Sequence, residues 1–416
     1  MKTAILILLS LIGMQTALAG GIITAEDPLP NEYIVVLHED IFAPPGLAIA
    51  AERRSDIRRV ADDLSFRHYA RRGNIFSEAL TGFTIRADRK MARSLSRDPR
   101  VALVTENHWI EATTLFDQID PPSWGLDRID QREPVLDGYY SWYSPESFNN
   151  VHVYVIDSGI RSTHADFGGR VDTIASFDAI GDGQGTEDCH GHGTHVAGII
   201  AGTDHGVAKD AWLHPVRVLD CDARGSLSTV LSGIDWVTRQ VLDNPHPAVA
   251  NLSLGTAGST LLDNAVRTSI AAGVVYVAAA GNSGDDACQY SPAHIDEVIT
   301  VGAVDADDHR ASFSSHGECV DIYAPGTGIT STFRRDDFDT LMMSGTSMAA
   351  PHVAGIAASL LAHTPSASPS EIMDMILAQA WNVEVSPEDQ EVGKLAFSLI
   401  DPALEEIIFA DNMESR

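Results

Sequence analysis

Apolar residues follow two kinds of pattern along the chain, and the change between them divides it. Over residues 31–112 the apolar stretches are few: "YIVVLH" at 33–38, "GFTIRA" at 82–87 and "VALV" at 101–104 read as strands. Between them lie charged stretches with helical spacing, at about 48–70 and about 89–96. This predicts a small α+β module. Residues 111–122 show no periodicity and are expected to be a polar junction. From Trp124 on, continuous apolar runs ("VHVYVID", "HPVRVLD", "PAVANLSL", "GVVYVAAAG", "EVITVGAV", "VDIYAPG") alternate with helical segments at 193–200, 226–243, 260–272, 351–361 and 368–379. Buried strands alternating with helices predict an α/β fold, with a mostly parallel sheet covered on both faces. Functional groups in such sheets gather outside the carboxyl ends of the strands. Asp157, Ser253 and Asn282 stand at such ends.

Charge sharpens the boundary. Of the 28 basic and 58 acidic residues, 13 and 14 fall in residues 20–114, and 14 and 44 in residues 115–416, giving net charges of −1 and −30. The acidic part should repel nucleic acid and anionic membranes, so neither is expected as a partner. The N-terminus "MKTAILILLSLIGMQTALAG" has a lysine, an apolar run shorter than a membrane span, and Ala17-Leu18-Ala19. This is the form of a secretory signal cleaved after residue 19. The expected domains are thus a signal peptide (1–19), a leader module (20–114), a main domain (115–401) and a tail (402–416), in a secreted, monomeric protein.

Candidate chemistry comes from three places in the main domain. In "MMSGTSMAAPHVAG" (342–355) a crowd of small residues precedes Pro351 and an all-round apolar helix. Pro351 is tolerable only near the start of that helix, which puts Ser347 at its mouth among unpaired N–H groups. Ser347 reads there as a nucleophile or as a capping serine. Asp157 ends "VHVYVID", where a carboxylate orients an imidazole or merely closes a turn. His192, in "CHGHGTHVAGIIAG", reads as a general base, or with His190 and His195 as a metal ligand, although no H-E-x-x-H spacing is present. Asn282 ends "YVAAAGN", as an oxyanion donor or a turn residue.

Taken together, "VIDSGI", "HGHGTHVAG", "NLSLG", "AAAGN" and "SGTSMAAPHVAG" resemble the motifs of the subtilisin-like serine proteases. "WGLDRIDQR", "YSPA" and "YAPGT" are similar to the proteinase K-like branch, especially its secreted bacterial members. The resemblance spans about 124–399 and implies a three-layer subtilisin-like fold. The module at 31–112 resembles the propeptide that assists folding and inhibits such proteases, and it is expected to stay bound after cleavage near 111–117. The resemblance makes Ser347 the nucleophile, His192 its base and Asp157 the partner of His192. Asn282 and the backbone N–H of Ser347 would form the oxyanion hole. It makes Ser253, Leu254 and Gly255 the strand that pairs with the backbone of a peptide or protein substrate. Ala279, Ala280 and Gly281 become one wall of the primary pocket, whose small side chains favour cleavage after apolar or aromatic residues.

Four cysteines in an exported chain suggest two disulfides, with three possible pairings. The resemblance selects Cys189–Cys221 and Cys288–Cys319. It also implies structural calcium: at Asp321 with the carbonyls of Asp296 and Val298, and at a second cluster of Asp127, Asp130, Gln131 and Asp137. Tyr139 stands in that cluster where Asn or Asp is expected. A catalytically inactive binding module on the same fold, and a metal-dependent hydrolase, are the competing readings.

Overall fold

A computed structural model of the protein describes residues 21–24, 28–42, 50–78, 80–108, 115–143, 150–386 and 391–399. The expected signal peptide, residues 111–114 of the expected cleavage region and the expected tail lie outside the described residues. The chain divides into two units, Met1–Ala112 and Thr113–Arg416.

The first unit is an antiparallel sheet of four strands, β1 (Pro28–Leu37), β2 (Arg71–Phe76), β3 (Gly82–Arg86) and β4 (Val101–His108), in the order β2-β3-β1-β4. Helices α1 (Ala50–Arg67) and α2 (Arg89–Leu95) accompany it, and α2 is capped by Asp88, whose side chain accepts from the N–H of Met91. Its core gathers Val35, Leu37, Ile57, Leu64, Phe83 and Val104. Strand β2, "RRGNIF", is absent from the sequence expectation. It is an edge strand with no buried residue, so nothing forces an apolar alternation on it.

The second unit opens with a hairpin of β5 (Leu115–Ile119) and β6 (Tyr139–Tyr143), around the short helix α3 (Trp124–Ile129). β5 lies inside the stretch expected to be an irregular junction. Its Leu115, Phe116 and Ile119 are exposed, so no buried face marks it in the sequence. A nine-stranded sheet follows, built from β7 (His152–Asp157), β8 (Phe177–Asp178), β9 (Trp212–Arg217), β10 (Ala248–Leu252), β12 (Val274–Ala279), β14 (Ile299–Val304), β15 (Ile322–Pro325), β18 (Trp381–Ser386) and β19 (Glu391–Leu395). Two small ribbons, β11 (Thr256–Ala257) with β13 (Tyr290–Ser291) and β16 (Ile329–Thr332) with β17 (Thr340–Met343), stand beside it. The sheet order is β18-β19-β15-β14-β12-β10-β7-β9-β8, and every pair is parallel except β18 with β19.

Successive residues of β7 point to opposite faces and build two cores. Val153 and Val155 join the core that contains α4 (His192–Ala201), α7 (Thr346–His363) and α8 (Pro369–Gln379). Tyr154 and Ile156 join the core that contains α5 (Leu227–Asp243) and α6 (Thr260–Ala271). Helix, sheet and helix are thus the three expected layers. Helix α7 is apolar on nearly every side and packs against β10, β12, β14 and β15, as suits a helix buried all round. It begins at Thr346 rather than at Pro351, so the proline sits inside it. Disulfide bonds join Cys189 to Cys221 and Cys288 to Cys319.

Candidate active site

The strand order reverses beside β7: β9 lies on one side of it, and β10, which follows in sequence, on the other. A crevice at the carboxyl ends of the strands is the consequence. Asp157 closes β7 there and is fully buried. Its carboxylate takes the N–H of Ser158 at 2.7 Å, and Nδ1 of His192 lies 2.8 and 2.9 Å from its two oxygens. Nδ1–H is therefore the donor, and Nε2 of His192 is left with a lone pair. Gly193 makes this approach possible. A Cβ there would meet the carbonyl oxygen of Gly159 at 2.2 Å and Cβ of Asp157 at 3.1 Å. Burial works against a charged His192, but Asp157, by charge and by hydrogen bond, and Asp188 beyond it raise its pKa above the ordinary 6.5.

Asp188 is a residue the sequence reading passed over. Helix α4 starts at Gly191 without a side-chain cap. The Asp188 carboxylate takes that role from outside the helix: it accepts from Ser158 Oγ, the N–H groups of His190, Gly191 and Thr194, and Thr194 Oγ1, at 2.6–2.9 Å. It thereby fixes the turn that carries His192. An Asp a few residues ahead of a helix start was the available signal.

Ser347 is the second residue of α7. Its hydroxyl donates to the carbonyl of Ser253 at 3.3 Å, and its own carbonyl accepts from Ser253 Oγ at 3.0 Å. The second bond answers a defect in the helix. The N–H that would bond the carbonyl of Ser347 belongs to the residue four positions on, which is Pro351 and has none. Ser253, just past the end of β10, supplies the missing donor. Asn282 lies across from it. Its Oδ1 accepts from the N–H and the Oγ1 of Thr346, both at 2.9 Å, which orients the amide and leaves its NH₂ available.

Two clefts meet along 253–255. One, of about 250 Å³, is lined by Ala279, Ala280, Gly281, Asn282 and Ser347, with Ser253, Leu254 and Gly255 shared. The other, of about 490 Å³, runs from His192 over Leu219, Val230 and Leu262. The histidines at 190, 192 and 195 do not converge: Nδ1 of His192 is turned to Asp157, and Nε2 of His195 to the carbonyl of Leu341 at 2.9 Å. Among the described residues the one group with metal-ligand spacing is Asp305, Asp307 and His309, which was not foreseen.

Of the two expected calcium clusters, the first is brought together only in part: Val298 is not among the residues that line its cleft. Asp296 and Asp321 line a third cleft, of about 220 Å³, together with Glu318, an acid the sequence reading left out. Burial, with Asp296 adding to it, pushes the Asp321 carboxyl up to about 6. Val298 is fully buried one residue before β14. In the second cluster Asp127 accepts from Gln131 Nε2 and the N–H groups of Asp137 and Gly138. Asp130 accepts from the N–H of Ser141 at 2.6 Å, while its other oxygen is buried without a partner. Burial and the neighbouring acids push Asp130 up to about 7. Asp127 and Asp130 are buried, Asp321 is half-buried, and Asp137, Asp296 and Glu318 are exposed; oxygen donors of this kind fit a hard divalent cation.

The subtilase family profile matches residues 149–398. The extracellular serine proteinase of Thermus sp. (strain Rt41A) is 44% identical over 374 residues, 86% of this chain and 86% of that protein. The alkaline serine exoprotease A of Vibrio alginolyticus is 38% identical over 377 residues, 90% of this chain and 68% of that protein. A crystal structure of a cold adapted subtilisin-like serine proteinase, 44% identical, superposes with a TM-score of 0.61 over 67% of this chain and 98% of its own. The chain belongs to the subtilase family of serine proteases. The family implied by the sequence motifs and the expected α/β fold both stand.

Proposed function

We propose that the protein is a secreted endopeptidase in which Ser347 is the nucleophile, His192 the base and Asp157 the group that holds His192. The observation that carries this is the buried Asp157–His192 pair, which leaves Nε2 bare at the crevice where Ser347 opens a helix. A rotation of the Ser347 side chain away from the Ser253 carbonyl brings Oγ to the scissile carbon, and Nε2 takes its proton. The Asn282 amide and the N–H of Ser347, at the positive end of α7, stabilise the oxyanion. His192 then gives its proton to the leaving amine, and water hydrolyses the acyl-enzyme by the same path. Ser253–Gly255 bind the substrate backbone. The cleft walled by Ala279, Ala280 and Gly281 takes an apolar or aromatic side chain before the scissile bond.

Three further assignments belong to this reading. Residues 1–19 direct export, 20–114 are an inhibitory propeptide that is cleaved near 111–117 and stays bound, and calcium binds at the Asp321 and Asp127–Asp137 clusters. The ion supplies charge neutralisation that holds the fold and takes no part in bond cleavage. A phosphonylating reagent specific for activated serine tests the catalytic reading. It should abolish hydrolysis of a phenylalanyl peptide and label Ser347, while a zinc chelator leaves the initial rate unchanged. Loss of turnover on zinc removal, with no labelling, would establish a metal hydrolase instead.

A further inference from the structure

The 490 Å³ cleft has a cation on its wall whose head group makes no hydrogen bond or ion pair among the described residues. Arg224 lines it, together with His192 and with Ser253–Gly255. Each other described arginine of the second unit is occupied. Arg128, Arg161, Arg217, Arg239, Arg267 and Arg335 face carboxylates. Arg170 and Arg334 donate to carbonyls, Arg132 lies over two aromatic rings, and Arg310 has a partner as well. Arg224 is exposed, and its guanidinium has no hydrogen bond or ion pair among the described residues. In a unit with 44 acids to 14 basic residues, an unpaired arginine beside the catalytic cleft calls for a reason.

The backbone under Arg224 is fixed. Asp220 Oδ1 accepts the N–H groups of Asp222 and Arg224 at 2.9 and 3.0 Å, and the Asp220 N–H donates back to the Arg224 carbonyl at 2.9 Å. Ala223 holds a left-handed φ of 55°, and Cys221 is bonded to Cys189. The Asp220 carboxylate is held chiefly by the N–H groups of the turn, with the Arg224 charge a lesser influence on it, and Asp222 is exposed. A planar guanidinium on a rigid turn suits a carboxylate brought to it by a ligand.

We propose that Arg224 is a specificity determinant that favours an acidic side chain at P2, P3 or P4 of the peptide, on the amino side of the scissile bond. This rests on the serine-protease reading. The net charge of −30 repels acidic peptides as they approach from solution, so Arg224 acts as a local exception to the field of the whole chain.

The test uses phenylalanyl peptides carrying Glu, Gln or Lys in turn at each of the three positions, with kcat/KM measured on the wild-type enzyme, on Arg224→Gln and on Arg224→Glu. At one position or more the wild-type Glu/Gln ratio should be about two- to five-fold, as for an exposed ion pair, falling towards one in high salt. The ratio should be near one in R224Q, and in R224E Lys should be preferred over Glu. Ratios are taken within each enzyme, so the amount of folded enzyme cancels. Reagent-sensitive hydrolysis of the Gln peptides with wild-type Glu/Gln ratios of one at all three positions overturns the role of Arg224 and leaves the catalytic reading intact. Absence of reagent-sensitive hydrolysis of any peptide overturns both.

Discussion

The two units of this chain solve the problem of folding in opposite ways. The first is an antiparallel sheet with a small core and no cysteine, dressed with ion pairs such as Arg67–Asp63 and Arg100–Asp63. Such surface pairs contribute little, and a core of that size is marginal. The second has a long parallel sheet, two buried cores, two disulfides and carboxylates crowded into clusters. On the proposed reading, the difference suits a cleavable inhibitor and a part to last. It teaches that durability was placed where the chemistry is, and that each device should be removable from one unit without touching the other.

The largest effect should come from Ser347→Ala. It should lower kcat/KM by at least about 10³-fold, and the full-length chain should remain uncut near 111–117. Hydrogen exchange should be unchanged in both units, whereas loss of protection across the second unit would make Ser347 structural.

Acid should separate the units next. His195 and His352 are fully buried, and burial pulls each down to about 4. His152, packed against His214 and His246, is also pulled to about 4. These folded values lie below the unfolded 6.5, so between pH 6.5 and 4 the unfolded chain binds more protons and stability falls with pH. Each of the two fully buried rings accounts for on the order of 3 kcal/mol at pH 4. His192, Asp127, Asp130 and Asp321, raised in the folded state, act in the opposite sense; saturating calcium removes the part due to the three carboxylates. Exchange protection in S347A should fall with acid in the second unit by much more than in the first; equal losses would contradict the assignment.

Calcium is the third probe. At one hundred times its dissociation constant a site adds about 2.7 kcal/mol. Chelation should lower the thermal midpoint of the second unit and speed autolysis, with the initial rate at low temperature preserved. Asp321→Asn should reproduce the effect and blunt the response to added calcium. The smallest change is Ser253→Ala, which leaves the carbonyl of Ser347 without a donor at a cost of about 1–3 kcal/mol. Its kcat should fall more than its KM rises, and Ser253→Thr should recover part of the loss.

Legibility from sequence followed burial. The strands β7, β10, β12 and β14 were plain because both faces are covered, so their apolar runs are unbroken. Strands β2 and β5 were not, because solvent takes their side chains and removes the pattern. The start of α7 was misplaced for a different reason. Pro351 signals a helix beginning, and only a partner distant in sequence, Ser253, shows why the helix tolerates it five residues in. Asp157, His192, Asn282 and Ser347 could be named from motifs. Asp188 had a local signal, an Asp just ahead of a helix start, that went unread; that Glu318 joins the Asp321 cleft and that Arg224 stands unpaired are facts of assembly, which no local pattern encodes.

The position of α7 also sets a timetable. Ser347 rides on the helix that packs across β10, β12, β14 and β15, strands that pair through contacts distant in sequence. Such long-range pairing is slow to form. Asp157 and His192 leave the ribosome well before Ser347, and the bond from the Ser347 hydroxyl to the Ser253 carbonyl needs α7 docked beside β10. On the proposed reading, a nascent or half-folded chain therefore has a base and no nucleophile. Destructive activity arrives last, at the moment the molecule has become compact enough to withstand it.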